Sequence, residues 1–181
     1  LIHPAMDATL ELIREYNLQP EDVVRVRLGT NQQVLNALRY LQPQTGLEAK
    51  FSIPFCLGIL FLERGAGIAQ FQDDVVLNPR VQDMMSRGQG YLHQDIEARG
   101  YDRIRGLVEI QLRDGRTLQR EAEVSRGTPQ RPMSWDELCE KFRGCAASTL
   151  AANRIEAAIE AVAGLENQRD IISLTHLVST P

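Results

Sequence analysis

The chain of 181 residues is 43% hydrophobic and 24% charged, enough apolar material for one substantial core with an appendage. Its net charge of -4 and pI near 5.4, with no stripe of Lys or Arg, exclude nucleic acid as an expected partner. The longest apolar run, Ile53 to Leu62, contains a proline and is about half of what a bilayer crossing needs, which sets membrane spanning aside.

Pro4 suits a first helical turn, and Met6, Leu10 and Ile13 follow at helical spacing, predicting a helix over Pro4 to Tyr16 with one apolar face. Val24, Val26 and Leu28 alternate with Arg25 and Arg27, the period-two pattern of a half-buried strand. A short helix is expected over Gln32 to Leu41, ended by the Pro43–Gly46 turn. From Phe51 to Leu62 the chain is apolar nearly all round, as in a helix buried on every side, with Lys50 or Ser52 at its head and Pro54 in its first turn. Asn78-Pro79 starts another helix that ends at the Gly88–Gly90 turn.

Leu92 to Val124 reads as antiparallel sheet, with a hairpin around Asp114-Gly115. A three-residue loop with Gly115 left-handed sets Ile110 opposite Leu118 and Gly106 opposite Ala122, and leaves Arg120 unexplained opposite Val108. Ser134 and Glu137 form a capping box at the start of the next helix, with Met133 as the staple to Leu138. Ile155, Ala158, Ile159 and Val162 mark a further helix, and Asn167 with Asp170 opens a last one through Leu177. One helix at the start and three at the end exceed what a small sheet already covered by the Phe51 helix can receive. They imply a helical domain whose main body lies elsewhere. The opening on Leu1 rather than methionine, just before a helix start, gives the same expectation of a C-terminal portion of a longer chain.

Cys56, Cys139 and Cys145 form neither a CxxC pair nor a disulfide ladder and no secretory signal precedes them; they read as small buried thiols in a reducing cytoplasm.

Several motifs occur together: His3-Pro-Ala-Met-Asp7, Thr45-Gly-Leu-Glu-Ala-Lys-Phe-Ser52, Leu62-Glu-Arg64, Gly100-Tyr-Asp102, Arg113-Asp-Gly-Arg116 and Arg126-Gly-Thr-Pro129, followed by Pro132-Met-Ser134 and Lys141-Phe142. In this order and spacing the chain resembles the MmgE/PrpD family over essentially its whole length. The resemblance implies an α+β fold: a lid domain of small antiparallel sheet with covering helices, flanked by helices of an all-α domain mostly outside the chain. Residues 1–19 would be a helix of that all-α domain, 20–131 the lid, and 132–181 the returning helices.

The family includes 2-methylcitrate dehydratases, cis-aconitate decarboxylases and an iminodisuccinate epimerase. The resemblance therefore implies a lyase, dehydratase or decarboxylase, acting on a small polycarboxylate without metal or organic cofactor, in a cytoplasmic homodimer. Proton abstraction beside a carboxylate needs a base, an acid and cationic or N–H groups for the carboxylates. Most of that set would lie in the helical domain, so the chain alone is not expected to be active. The alternatives are a non-catalytic binding or assembly module that kept the lid fold, or an epimerase or isomerase using the same proton abstraction.

Residue by residue, His3 matches a family histidine and is the candidate catalytic group, the alternative being a plain helix-head residue. His93 and His176 match no motif and read as surface or packing residues. Lys50 and Lys141 are the lysines among twenty basic residues. Lys50, at a helix head where a cation is unfavourable unless it meets an anion, is a candidate carboxylate contact; a salt bridge to Glu48 or to a neighbouring domain is its alternative. Lys141 reads as structural. Ser52 shares the same rim. Phe55 stands where the dehydratases and the decarboxylase carry a tyrosine, so it is expected to line the pocket as a specificity wall without donating a proton. Arg126 opens a stiff Gly- and Pro-containing crossing that reads first as a structural linker; the alternative makes Arg126 a candidate contact to substrate carboxylates across the cleft.

Overall fold

A computed structural model describes residues 1–179. The chain divides into two compact units, Leu1–Pro132 and Met133–Pro181.

The first unit opens with α1 (His3–Glu15), led by Pro4 in its first turn, and a 3-10 turn (Pro20–Asp22) leads into β1 (Val23–Thr30). Helices α2 (Gln32–Ala37), α3 (Gly46–Ala49), α4 (Ile53–Glu63), α5 (Asp73–Val76) and α6 (Pro79–Ser86) follow. Next come β2 (Gly88–Leu92), α7 (Gln94–Ala98), β3 (Gly106–Leu112) and β4 (Thr117–Ala122). The strands form one sheet in the order β2-β1-β3-β4.

The class is the α+β expected, and the sheet is mixed: β1 runs parallel to β2 and antiparallel to β3, and β3 antiparallel to β4. The sequence places sheet from Leu92 onward and a turn at Gly88–Gly90; the structure puts those glycines inside β2 and a helix over Gln94–Ala98. The reason is close approach. A Cβ at Gly88 would lie 2.7 Å from the Cα of Pro54, so α4 sits on β2 only because that residue has no side chain. The hairpin has the expected register, with Ile110 opposite Leu118, Gly106 opposite Ala122, and Gly115 at φ +89° in the turn.

Helix α4 is buried from Ile53 through Phe61 because it has neighbours all round: α1 beside it, α6 behind it, and β1 and β2 beneath it. Each of its large side chains contributes about 1.5–3 kcal/mol by leaving water. Ser52 caps it, its Oγ accepting from the Phe55 N–H at 3.2 Å. Helix α1 lies on β3 and β4 and against α4, so its apolar face, with Ala5, Ala8, Leu12 and Ile13 buried, is covered inside the unit by those elements. Arg120 of β4, inward-facing at the sheet edge, is explained by the same helix: it ion-pairs with Glu11 at 3.0 Å and with Glu15.

In the second unit, α8 (Trp135–Ala146), α9 (Ala152–Ala163) and α10 (Ile172–Val178) pack in sequence, α8 on α9 and α9 on α10. The capping box is formed as expected, the Ser134 N–H donating to Glu137 at 2.7 Å and the Glu137 N–H to Ser134 Oγ at 3.3 Å. Arg143 grips Glu156 through two hydrogen bonds of 2.7 and 2.8 Å. Arg154 closes the end of α10 by donating to the carbonyls of Leu177, His176 and Ser179. An apolar groove between these helices is lined by Trp135, Leu138, Phe142, Ile159, Val162 and Leu174.

Candidate functional site

The head of α1 carries the first candidate. Pro4 and Ala5 anchor the first turn in the core, while His3 stands exposed beside them. No side chain caps this end and its first turn holds no acidic residue, so the helix presents uncapped N–H groups and the positive end of its dipole. A concavity of about 350 Å³ opens here, lined by His3 and Pro4, by Arg103 and Ile104 before β3, and by Ser125 and Thr128 after β4.

Its charges are partly engaged. Arg103 meets Glu123 at 3.4 Å and Asp102 at 3.9 Å, both loosely. Arg105 takes Asp102 through two bonds of 2.7 and 3.2 Å and holds that carboxyl below the usual carboxylate range. An exposed imidazole, a loosely held guanidinium and uncapped N–H groups can together receive a small anion.

The crossing after β4 is tied to the same helix. The Arg126 N–H donates to Asp7 at 2.6 Å, and Arg131 pairs with Glu11. Arg126 is exposed, two residues from Thr128 in the lining of the His3 concavity.

The second candidate, the Lys50–Phe55 corner, separates into an outer and an inner part. Thr45 caps α3, accepting from Glu48 at 3.3 Å, and the chain then turns through exposed Lys50 and Phe51. Ser52 and Phe55 are completely buried, and the Phe55 ring packs on Phe71. The carboxylate of Glu48 is occupied by the Gln44 N–H at 2.7 Å, and among the described residues no ion pair joins it to Lys50. Behind the corner, Cys56 donates to the Ala49 carbonyl at 3.4 Å and burial pushes its thiol up to about 12. Cys139 is buried as well, whereas Cys145 is exposed. None of Lys50, Ser52 and Phe55 lines the concavity of His3, so the structure brings His3 and the Arg126 crossing together and leaves Lys50 at another corner. Lys141 and His176 are exposed on α8 and α10.

One polar constellation escapes the sequence reading. On the sheet face opposite α1 and α4, the Arg27 guanidinium lies 4.1 Å from the centre of the Tyr91 ring, and Tyr91 donates to Glu109 at 2.8 Å. Glu109 also accepts from Gln119 at 3.0 Å and faces Arg27 at 3.6 Å. Burial and the Glu109 carboxylate push the Tyr91 phenol up to about 12. The hairpin register already sets Glu109 opposite Gln119, but no local signal places β2 beside β1, and so Tyr91 could not be found. His93, next along, has a buried Nδ1 without a hydrogen-bond partner among the described residues.

Among the described residues no helix is long and apolar enough to cross a membrane. Comparison with known proteins matches the MmgE/PrpD C-terminal domain to residues 1–167. The chain is 25% identical over 173 residues to cis-aconitate decarboxylase of Homo sapiens, covering 94% of this chain and 35% of that protein. It is 25% identical over 139 residues to cis-aconitate decarboxylase of Mus musculus, covering 77% of this chain and 28% of the relative. The chain thus spans about a third of the length of the curated relatives it matches. With a family match running from the head of α1 through α9 of the second unit, the chain belongs to the MmgE/PrpD family.

Proposed function

We propose that the chain is the lid and returning helices of a lyase that removes carbon dioxide or water from a small polycarboxylate, needing no metal or organic cofactor. The observation that carries this reading is the family match over residues 1–167, joined to the name cis-aconitate decarboxylase on both relatives.

The uncapped head of α1 supports it. His3 and Arg103 offer an imidazole and a guanidinium where helix N–H groups already favour an anion. In this reading His3 moves a proton, and Arg103 and the Arg126 crossing hold substrate carboxylates. Lys50 meets a carboxylate from its own exposed corner. Phe55 and Ser52 act from inside the core, fixing the corner that carries Lys50.

The rest of the base, acid and carboxylate clamp comes from the two thirds of the relatives' length outside this match. The chain of 181 residues is accordingly inactive alone. The test is to incubate the complete polypeptide carrying this chain with cis-aconitate and with 2-methylcitrate and to follow the acids by proton NMR. Consumption with a new unsaturated acid supports a lyase. Inversion at one carbon without loss of mass would make it an epimerase, and no change with any di- or tricarboxylate would refute the reading.

A further inference from the structure

The segment 125–131 is folded on itself yet buries no side chain. The Gly127 N–H donates to the Arg131 carbonyl at 2.8 Å and the Arg131 N–H to the Thr128 carbonyl at 3.0 Å. Thr128 Oγ1 donates to the Ser125 carbonyl at 2.9 Å. Every residue in it is exposed or half-buried. A loop without buried apolar contacts sits at the low-stability end of a structure unless something else holds it.

Helix α1 supplies that hold. Asp7, Glu11 and Glu15 recur every four residues and so share one side of the helix. Asp7 accepts the Arg126 N–H at 2.6 Å. Glu11 divides its two oxygens between Arg131 and Arg120, and Glu15 takes the other end of Arg120. Arg120 holds the Glu15 carboxyl below its ordinary range.

We propose that this acidic stripe is an electrostatic clasp that fixes the 125–131 strap on the helix bearing His3, and that salt releases the strap without unfolding the sheet. The paired side chains of Glu11, Arg120 and Arg131 are 33%, 29% and 32% exposed, so mobile ions reach them. The sheet is held by apolar burial, which salt does not weaken. A clasp of this kind governs where Arg126 sits. The role of Arg126 toward a substrate rests on the function proposed above; the clasp itself does not.

Amide exchange, measured by NMR on the 181-residue chain, keeps the two apart because it needs no turnover. Raising salt from about 20 mM to about 1 M, where the screening length falls to about 3 Å, is expected to speed exchange of the Arg126, Gly127 and Arg131 amides about tenfold. The Val108 and Ile110 amides should not change. Glu11→Gln at low salt should reproduce the high-salt pattern, and Glu140→Gln, in the second unit, should not. Strap amides that exchange equally at both salt concentrations would overturn the clasp. So would a folded Glu11→Gln chain whose strap stays as protected as in the parent. Should Glu11→Gln fail to fold, the salt series on the unaltered chain decides.

Discussion

The ring of Phe55 lies 5.3 Å from that of Phe71, centre to centre, with the planes inclined at 51°, and Phe55 exposes none of its surface. Phe71 is half-buried at the edge of the core, whereas the Phe55 ring is sealed from water. Phe55→Tyr would place a hydroxyl where water is absent, and an unpaired buried hydroxyl costs about 1–3 kcal/mol. The expected result is a lower urea midpoint with an unchanged slope. A midpoint equal to the parent's would mean the ring edge reaches a polar partner and that the corner is not sealed.

Two glycines should respond oppositely to the same substitution. A Cβ at Gly46 would lie 2.0 Å from the Phe71 carbonyl oxygen and 2.6 Å from its carbon, so backbone must shift. Gly46→Ala is expected to lose about 1–3 kcal/mol, as overpacking does. Gly144 sits inside α8 with nothing within 4 Å of the added atom. Gly144→Ala should raise helix stability by about 0.5–1 kcal/mol. Thermal melts followed by circular dichroism check both, and a Gly46→Ala melt at the parent's temperature would contradict the packing of α3.

The thiols should separate by burial. Cys56 is buried, with its thiol pushed up to about 12, Cys139 is buried, and Cys145 is exposed. A chromogenic disulfide reagent at about pH 8 should react fast with a single thiol in the folded chain, lost in Cys145→Ser, and with the others only in denaturant. Two or more fast thiols would show that α4 or α8 is open.

Tyr91 makes stability depend on pH at the alkaline end. Its folded value of about 12 lies above the ordinary 10.0, so the folded chain holds that proton more tightly than the unfolded chain. The stabilisation is complete below about pH 10 and is lost as pH climbs from about 10 towards 12. Denaturation midpoints should fall across this window, less steeply in Tyr91→Phe. An equal slope in the variant would remove Tyr91 as the cause.

Local signals made much of this fold legible. The capping box at Ser134, the hairpin register at Gly115 and the all-round apolar run of α4 each depend on residues within a few positions of one another. What escaped depends on distant partners. Strand β2 has little alternation because its glycines admit α4, and its parallel pairing with β1 is reached only through five intervening helices. The candidate site divides the same way. His3 and Arg126 were legible as motif residues, and their common neighbourhood follows from Asp7 reaching the Arg126 N–H. Phe55 was legible as a hydroxyl-free position, but its contact with Phe71 is made only after the chain leaves α4 and passes a 3-10 turn (Ile68–Gln70) that no sequence signal marks. The Arg27, Tyr91 and Glu109 cluster needs three strands assembled before it exists.

The central claim is lyase chemistry shared between this chain and the remainder of the polypeptide. The most direct measurement is carbon dioxide and unsaturated acid released from cis-aconitate by the complete polypeptide, beside the 181-residue chain and the complete His3→Ala variant. The account predicts turnover in the complete polypeptide, a loss of about 100-fold or more in His3→Ala, in the range of general acid–base catalysis, and none in the chain alone. Equal turnover with and without the His3 imidazole would contradict the site. No turnover of cis-aconitate, 2-methylcitrate or any related acid would contradict the claim itself.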